Sequence, residues 1–429
     1  MGAFAWSERL SVAMKSIGRC NMAGAKRASD KSDAILKIYC ARALRDFGDG
    51  FVAVLLPVYL TSLGFSPLQV GIIATLALFG SALLNLVIGL VGSRYEHRRL
   101  LLAAANLMAA TGVAFALVND FALLAVVAFA GTVNPSAGSV SVFVPLEHAV
   151  LSREVIDNER TQMFARYSLI GAMAGACGAL AAAAPDFLAV IGLGQLDGIK
   201  AMFVFYAGLG MIGGWVYSRI PARPPPADGD APAVLGPSRH IVYRLAVLFC
   251  LDAFAGGFLV QSLLALWMFE RFDLSLSAAG LFFFWSGVLA AFSFPVAAWL
   301  SRRIGLVNTM VFTHIPSSLC LMIAAIAPNL SVALALLLLR AALSQMDVPT
   351  RSSYVMAVVT EAERAAAASF TSLPRSLAAA VSPALAGALF AASFRALPLI
   401  ICGVLKIVYD VLLLLQFRHL KPPEERDHR

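Results

Sequence analysis

Twelve long apolar runs are laid out along the chain between Ala41 and Phe417, near positions 41–60, 68–90, 99–118, 121–146, 163–184, 200–218, 243–267, 276–300, 306–327, 331–356, 370–393 and 397–417. About 20 mostly apolar residues let a helix cross roughly 30 Å of hydrocarbon, and each run reaches that length. Polar residues are pushed into short connections, so the pattern predicts twelve membrane-crossing helices. The six runs before residue 220 and the six after it follow one plan. Pro145, Glu147, Glu159 and Arg160 return 204 residues later as Pro349, Arg351, Glu363 and Arg364. Gly50-Phe51 of the first run matches Gly257-Phe258 of the seventh, and short basic connections follow the second and eighth runs. The predicted fold class is an all-α membrane protein of two pseudo-symmetric six-helix bundles.

The expected domains are a tail at 1–40, a bundle at 41–219, a linker at 220–242, a second bundle at 243–417 and a tail at 418–429. The linker opens on Pro221-Ala-Arg-Pro-Pro-Pro-Ala-Asp-Gly-Asp, a composition suited to extended chain. Residues 1–40 are polar and basic and lack the apolar core and cleavage site of a signal peptide. They read as a cytoplasmic extension, or as sequence ahead of a later start at Met14 or Met22. Trp6 stands where a myristoylation signal wants Ser or Thr.

Charge then orients the bundles. Only 14% of residues are charged and 60% are hydrophobic, against roughly 25% charged in soluble domains. The net charge of +8 raises nucleic acid as a partner until the basic residues are placed. Of 33 Lys and Arg, 21 fall in the termini and even-numbered connections, against Arg271 and Arg395 in the odd ones and Lys200 at the edge of another. Basic connections stay on the cytoplasmic side, so both termini are expected there, in a cell inner or plasma membrane, with the bilayer and not nucleic acid as partner. An even span count demands the same. Cys20, Cys40, Cys177, Cys250, Cys320 and Cys402 are scattered without paired spacing and read as small core residues.

The connection after the second run, Gly89-Leu-Val-Gly-Ser-Arg-Tyr-Glu-His-Arg-Arg, resembles the signature Gly-x-Leu-Ala-Asp-Arg-x-Gly-Arg-Arg of the major facilitator superfamily, with Gly89, Arg94, Arg98 and Arg99 in place. Ser93 and Glu96 replace the signature aspartate and second glycine. The second half keeps Arg303 and Gly305 but has Ala298 and Arg302 at the other positions. The resemblance spans residues 41–417 and implies parallel repeats about an axis along the membrane normal. It further implies that the first, fourth, seventh and tenth helices line a central passage.

Ionisable groups inside a bilayer cost several kcal/mol and mark pathways or pairs. Asp49 lies about 16 Å inward of Leu60, near mid-bilayer, with Asp46 one turn deeper on the same face. It reads either as a proton carrier or as the partner of a base such as Arg45; Asp46 and Asp252 are further proton-coupling candidates. Arg340, Ser344, Asp347 and Arg351 follow at helical spacing and make one polar stripe. On the pseudo-twofold Arg340 corresponds to Ser136, beside Asn134 and Pro135. The resemblance then has Arg340 and Asp49 viewing one space, with Arg340, Ser344, Asn134 and Ser136 as substrate contacts. Asp347 is expected to pair with Arg340 and Arg351, and Lys406 with Asp410. His314 is expected to be packed. Glu147 and Arg351 are expected to close a salt bridge across the bundles at the cytoplasmic gate in the outward-facing state, with Arg166 and Arg375 as other partners and Arg94 nearby; the competing expectation is a Glu147–Arg160 pair. Gly171, Gly175 and Gly178, and Ser382, Pro383 and Gly387, are spaced for close helix packing.

No Gly-x4-Gly-Lys-Ser/Thr loop occurs, no spacing suggests zinc or haem, and the connections are too short for an enzyme domain. The expectation is a monomeric secondary transporter without cofactor. It would move a small-molecule substrate by alternating access, coupled to protons. An uncoupled facilitator and a non-transporting receptor or assembly protein on the same fold are the alternatives.

Overall fold

A computed structural model describes residues 33–91, 94–136, 141–154, 157–190, 192–221, 236–360 and 363–418. Helix α1 covers residues 33–62. The first bundle continues with α2 (Pro67–Val91), α3 (His97–Leu117), α4 (Phe121–Ala130), α5 (Phe143–Glu154), α6 (Asp157–Ala181), α7 (Ala184–Val190) and α8 (Gln195–Ser218). The second contains α9 (Arg239–Gly257), α10 (Gln261–Phe272), α11 (Leu276–Ile304), α12 (Leu306–Ala325), α13 (Leu330–Ser344), α14 (Asp347–Val358), α15 (Arg364–Ala391) and α16 (Leu397–Phe417). Ten helical stretches of the described chain are long and apolar enough to span a membrane. The first and fourth of the expected spans fall outside that ten for physical reasons. α1 concentrates Arg45, Asp46 and Asp49, and the fourth span is broken into α4 and α5.

Several boundaries differ from expectation, among them the starts of the fifth and eleventh spans, six residues earlier at Asp157 and Arg364. The first helix starts at residue 33, well inside the expected tail, because Ala34 and Ile38 are buried at 1% and 0% exposure. The seventh span starts at Arg239 rather than 243, its first turn tied down by Glu363. The fourth and tenth spans are each two helices, as is the seventh, which divides into α9 and α10. The second pieces, α5 and α14, are both 12 residues long and begin 204 positions apart, at Phe143 and Asp347. Pro145 and Pro349 sit at the third residue of each. There the missing N–H costs nothing, since first-turn donors have no helical acceptor. The prolines therefore restart a helix instead of interrupting one. Residues 1–32, most of the linker (222–235) and 419–429 lie outside the described residues.

The bundles meet at the face away from the described chain ends. There α2 packs on α15 and α6 on α11. Gly71 and Gly387 bring backbones together: a Cβ on Gly71 would stand 2.5 Å from the Pro383 carbonyl oxygen, and one on Gly387 2.6 Å from that of Pro67. Hydrogen bonds cross the same seam. Ala384 N–H donates to Thr75 Oγ1 (2.9 Å), Ser262 N–H to the Pro135 carbonyl (3.1 Å), and the Ser277 N–H and hydroxyl to Asp186 Oδ2 (3.0 and 2.7 Å). One apolar core runs through the first bundle into this half of the second. The opposite half of the second bundle has a separate core around Val242, Phe249, Met310, Tyr354 and Tyr409.

Candidate functional site

In the first bundle α1 presents Arg42, Arg45, Asp46 and Asp49 over two helical turns. Asp46 is held by Arg42 at 2.7 Å and Arg45 at 3.3 Å. Arg45 also reaches Glu147 of α5 at 3.0 Å and lies over the Phe143 ring. Glu147 is completely buried and accepts hydroxyl hydrogen bonds from Tyr167 of α6 and Tyr217 of α8. A buried carboxylate demands such a shell, because leaving it unpaired costs several kcal/mol. Asp49, 2% exposed, accepts from the neutral Tyr206 hydroxyl at 3.1 Å and is in no ion pair among the described residues.

The second bundle holds the mirror arrangement with its signs exchanged. Asp252 of α9 accepts from Arg351 of α14 at 2.9 Å and from Lys406 of α16 at 2.6 Å, and Arg351 touches Asp347 at 3.4 Å. Lys406 also contacts His314 Nε2 at 3.3 Å, and His314 Nδ1 lies 3.0 Å from Asp410. An ammonium can only donate, so Nε2 accepts from it and Nδ1–H is left to donate to Asp410. The chain Asp410–His314–Lys406–Asp252–Arg351–Asp347 thus crosses the bundle through α16, α12, α9 and α14. The register that pairs Gly50 with Gly257 carries Arg45 onto Asp252, and the 204-residue register carries Glu147 onto Arg351.

A model of the Major Facilitator Superfamily matches residues 38–344 and again 245–429. The chain belongs to this superfamily. It is a multi-pass membrane protein and not an enzyme. It is 22% identical over 410 residues to the uncharacterised membrane protein YJR124C of Saccharomyces cerevisiae, covering 87% of this chain and 92% of that one. A solved nucleoside transporter, NupG, is similar with TM-score 0.69 and 13% identity over 90% of this chain and 99% of that one. A bacterial homologue of the human lysosomal transporter Spinster, inward-facing and occupied, gives TM-score 0.71 and 17% identity over 90% and 97% of the two chains. At such identities the likeness is one of fold.

On this superfamily frame several expected contacts are replaced by others. In this arrangement Glu147 and Arg351 do not meet, and each pairs inside its own bundle, Glu147 with Arg45 and Arg351 with Asp252; the gate contact expected of the outward-facing state is a separate matter. Asp347 pairs with Arg351 but not with Arg340. Lys406 and Asp410, one helical turn apart, turn instead to Asp252 and His314, and His314 is buried as expected but within a polar chain. Asp46 and Asp252 are ion-paired, which leaves Asp49 as the unpaired carboxylate of the three coupling candidates. Asp49 and Arg340 are not brought together. Arg340 is half-buried near the thiols of Cys320 and Cys402, and its carbonyl accepts from Ser317 at 3.5 Å. Asn134 is buried, and its side-chain oxygen accepts from Ser136 N–H at 2.9 Å, shaping the turn between α4 and α5. Ser344 closes α13 and is half-buried. Arg375 is half-buried near Arg351, Asp252 and Asp347, while Arg166 and Arg94 are exposed. The Arg160 side chain lies outside the described residues.

Proposed function

We propose that the chain is a secondary active transporter of the cytoplasmic membrane, with both termini inside, that moves a small solute by alternating access and draws energy from protons. The observation that carries this reading is the asymmetry of the seam. Backbones meet at Gly71, Pro383 and Gly387 on the far face, while the ionic clusters of the other half close within each bundle rather than across. Two bodies sealed at one face and separately neutralised at the other can rock without breaking a buried charge pair. Under the orientation given by the basic connections, the far face is the outside and this conformer is inward-facing, as in the Spinster homologue. Asp49, the buried carboxylate without a cation, is the coupling group, and Arg340 the substrate contact.

The sealed face supplies the test. In an Asp186→Cys/Ser277→Cys protein reconstituted in vesicles, flux is read by mass spectrometry as uptake from a cell metabolite extract under an imposed pH gradient. Oxidation should stop uptake and reductant restore it. Uptake that persists after complete cross-linking rules out alternating access, equilibration without accumulation leaves an uncoupled facilitator, and absence of all flux leaves a non-transporting protein.

A further inference from the structure

The end of α8 and the start of α1 form a corner that the transport reading leaves unused. Tyr217 of α8 is buried and donates to Glu147, which fixes the rotation of the helix end. Residues two positions away lie about 200° around a helix of 3.6 residues per turn, so Trp215 and Arg219 are turned outward, and both are exposed. Arg219 does not extend past the helix end. Its side chain runs back over the indole, with the guanidinium carbon 4.6 Å from the ring centre, and it has no ion-pair partner among the described residues. Met211, one turn before Trp215 on the same face, is exposed as well. One outward stripe of α8 thus carries a thioether, an indole and a guanidinium in succession.

α1 supplies a second cation. Lys37 Nζ donates to the Arg219 carbonyl at 2.9 Å, capping the last turn of α8, and pairs with Asp33. An ammonium has three N–H groups, so one is left. Asp33 answers Lys37, and no carboxylate among the described residues answers Arg219. Arg303 lies over Trp299 at 4.4 Å in the same manner at the end of α11, but that arginine belongs to the connection already matched to the superfamily signature. The α8 corner has no place in that signature.

We infer that this corner holds the phosphate of one anionic phospholipid from the cytoplasmic leaflet. A guanidinium lying on an aromatic face keeps its N–H fork for a phosphate, and tryptophan is a residue of the membrane–water interface. A soluble phosphate would meet the cations and leave the indole and Met211 uncovered. A phospholipid meets both, with its phosphate against Arg219 and the third N–H of Lys37, its glycerol beside Trp215 and an acyl chain along Met211. A zwitterionic headgroup would bring its own ammonium to a corner that already holds two cations. The inference takes from the reading above only the choice of leaflet, and it holds for the folded protein whether or not the chain turns over a solute.

The test is lipid retention by the full-length protein in detergent, read by native mass spectrometry with phosphatidylglycerol and phosphatidylcholine added in equal amounts. Wild type should keep phosphatidylglycerol over phosphatidylcholine by about fivefold or more, and Arg219→Gln should remove about fivefold of that preference, the factor that one basic residue contributes at a membrane surface. Arg219→Lys should restore part of it, and Trp215→Leu, apolar but without the stack, should lower it by less than Arg219→Gln does. Arg244→Gln removes an exposed cation of α9 that lies over no aromatic ring among the described residues and should change nothing. Equal retention of the two lipids by wild type overturns the inference, and that comparison needs no variant to fold. A preference unchanged in Arg219→Gln, at a wild-type melting temperature, overturns the site. Equal losses in Arg219→Gln and Arg244→Gln would assign the preference to diffuse surface charge and overturn it too. Displacement of the retained lipid by millimolar glycerol phosphate would overturn the phospholipid as occupant. No flux is measured, so failure of the transporter reading and failure of this inference are told apart.

Discussion

Where α1 of the first bundle presents Arg45 to Glu147 on α5, α9 of the second presents Asp252 to Arg351 on α14. Position, depth and burial are shared between the two pairs; polarity is not. The surroundings account for the difference. Glu147 is ringed by the hydroxyls of Tyr167 and Tyr217, donors that only an acceptor can satisfy. Asp252 is met by Lys406, a donor of another kind, and Lys406 in turn by His314. Duplication supplies the geometry, and each half has fixed its own sign through the third helix that closes the pair. An ion pair formed within one bundle would survive the rocking proposed above, whereas a pair formed between the bundles would have to be remade in each such motion.

The most damaging way to break the comparison is to give the first bundle the polarity of the second. Arg45→Asp alone would bury four carboxylates, at positions 45, 46, 49 and 147, around the single cation Arg42. It should cost about 3–5 kcal/mol, the range for removing one partner of a buried pair. Adding Glu147→Arg restores opposite charges but leaves the Tyr167 and Tyr217 hydroxyls without an acceptor, at roughly 1–3 kcal/mol each. The double variant should therefore melt above Arg45→Asp and clearly below wild type in detergent. Full recovery would mean that the tyrosine shell does not set the sign.

The seam between the halves comes next. Gly387→Ala places a methyl against the Pro67 carbonyl and the Cα of Gly71, where backbone cannot yield cheaply. Overpacking of this kind costs about 1–3 kcal/mol, and here it falls on the sealed conformer alone. The population should shift towards the form open at that face, read as faster labelling of Ala384→Cys by an impermeant maleimide from outside. Unchanged labelling would separate the close approach from gating.

A smaller effect separates two buried tyrosines of the sixth and twelfth spans. Tyr206 donates to Asp49, whereas the Tyr409 hydroxyl is buried without a hydrogen-bond partner among the described residues. Tyr206→Phe should cost about 1 kcal/mol for the lost bond, and Tyr409→Phe should be neutral or slightly stabilising, since it removes an unsatisfied polar group. Equal effects on melting temperature would erase the distinction.

These contrasts also explain what sequence reading could reach. Apolar run length, the proline-rich linker and the 204-residue register were legible because membrane burial and duplication write directly on local pattern. Once the structure pairs Arg45 with Glu147, the same register and the Gly50–Gly257 match carry that pair onto Asp252 and Arg351. Helical spacing misled at Lys406 and Asp410, because i,i+4 neighbours on a buried helix compete with groups on adjacent helices, and the nearer cross-helix partners prevail. Asp252 is 154 residues from Lys406 and Asp410 is 96 from His314, separations that no local pattern spans. The breaks in the fourth and tenth spans were marked by Pro145 and Pro349, but a proline marks the start of a helix as readily as its end.

The least disruptive contrast lies outside the membrane, at Glu363, 204 residues beyond Glu159. Glu363 accepts from Gly236 N–H, Ser238 N–H, the Ser238 hydroxyl (2.7 Å) and the Thr360 hydroxyl (2.6 Å), tying the connection before α15 to the start of α9. Those donors, Ser238 and Thr360 foremost, hold its carboxyl down to about 2 from an ordinary 4.5. A folded-state value below the unfolded one means the stabilisation is fully present above about pH 4.5 and fades as pH falls through about 2. Glu363→Gln should therefore lower the melting temperature by a constant amount from about pH 5 to 8, and the gap to wild type should narrow in acid and close near pH 2. A gap that persists in acid would show the donors serving the amide as well as the carboxylate, and the contact would then be a neutral cap rather than a charged one.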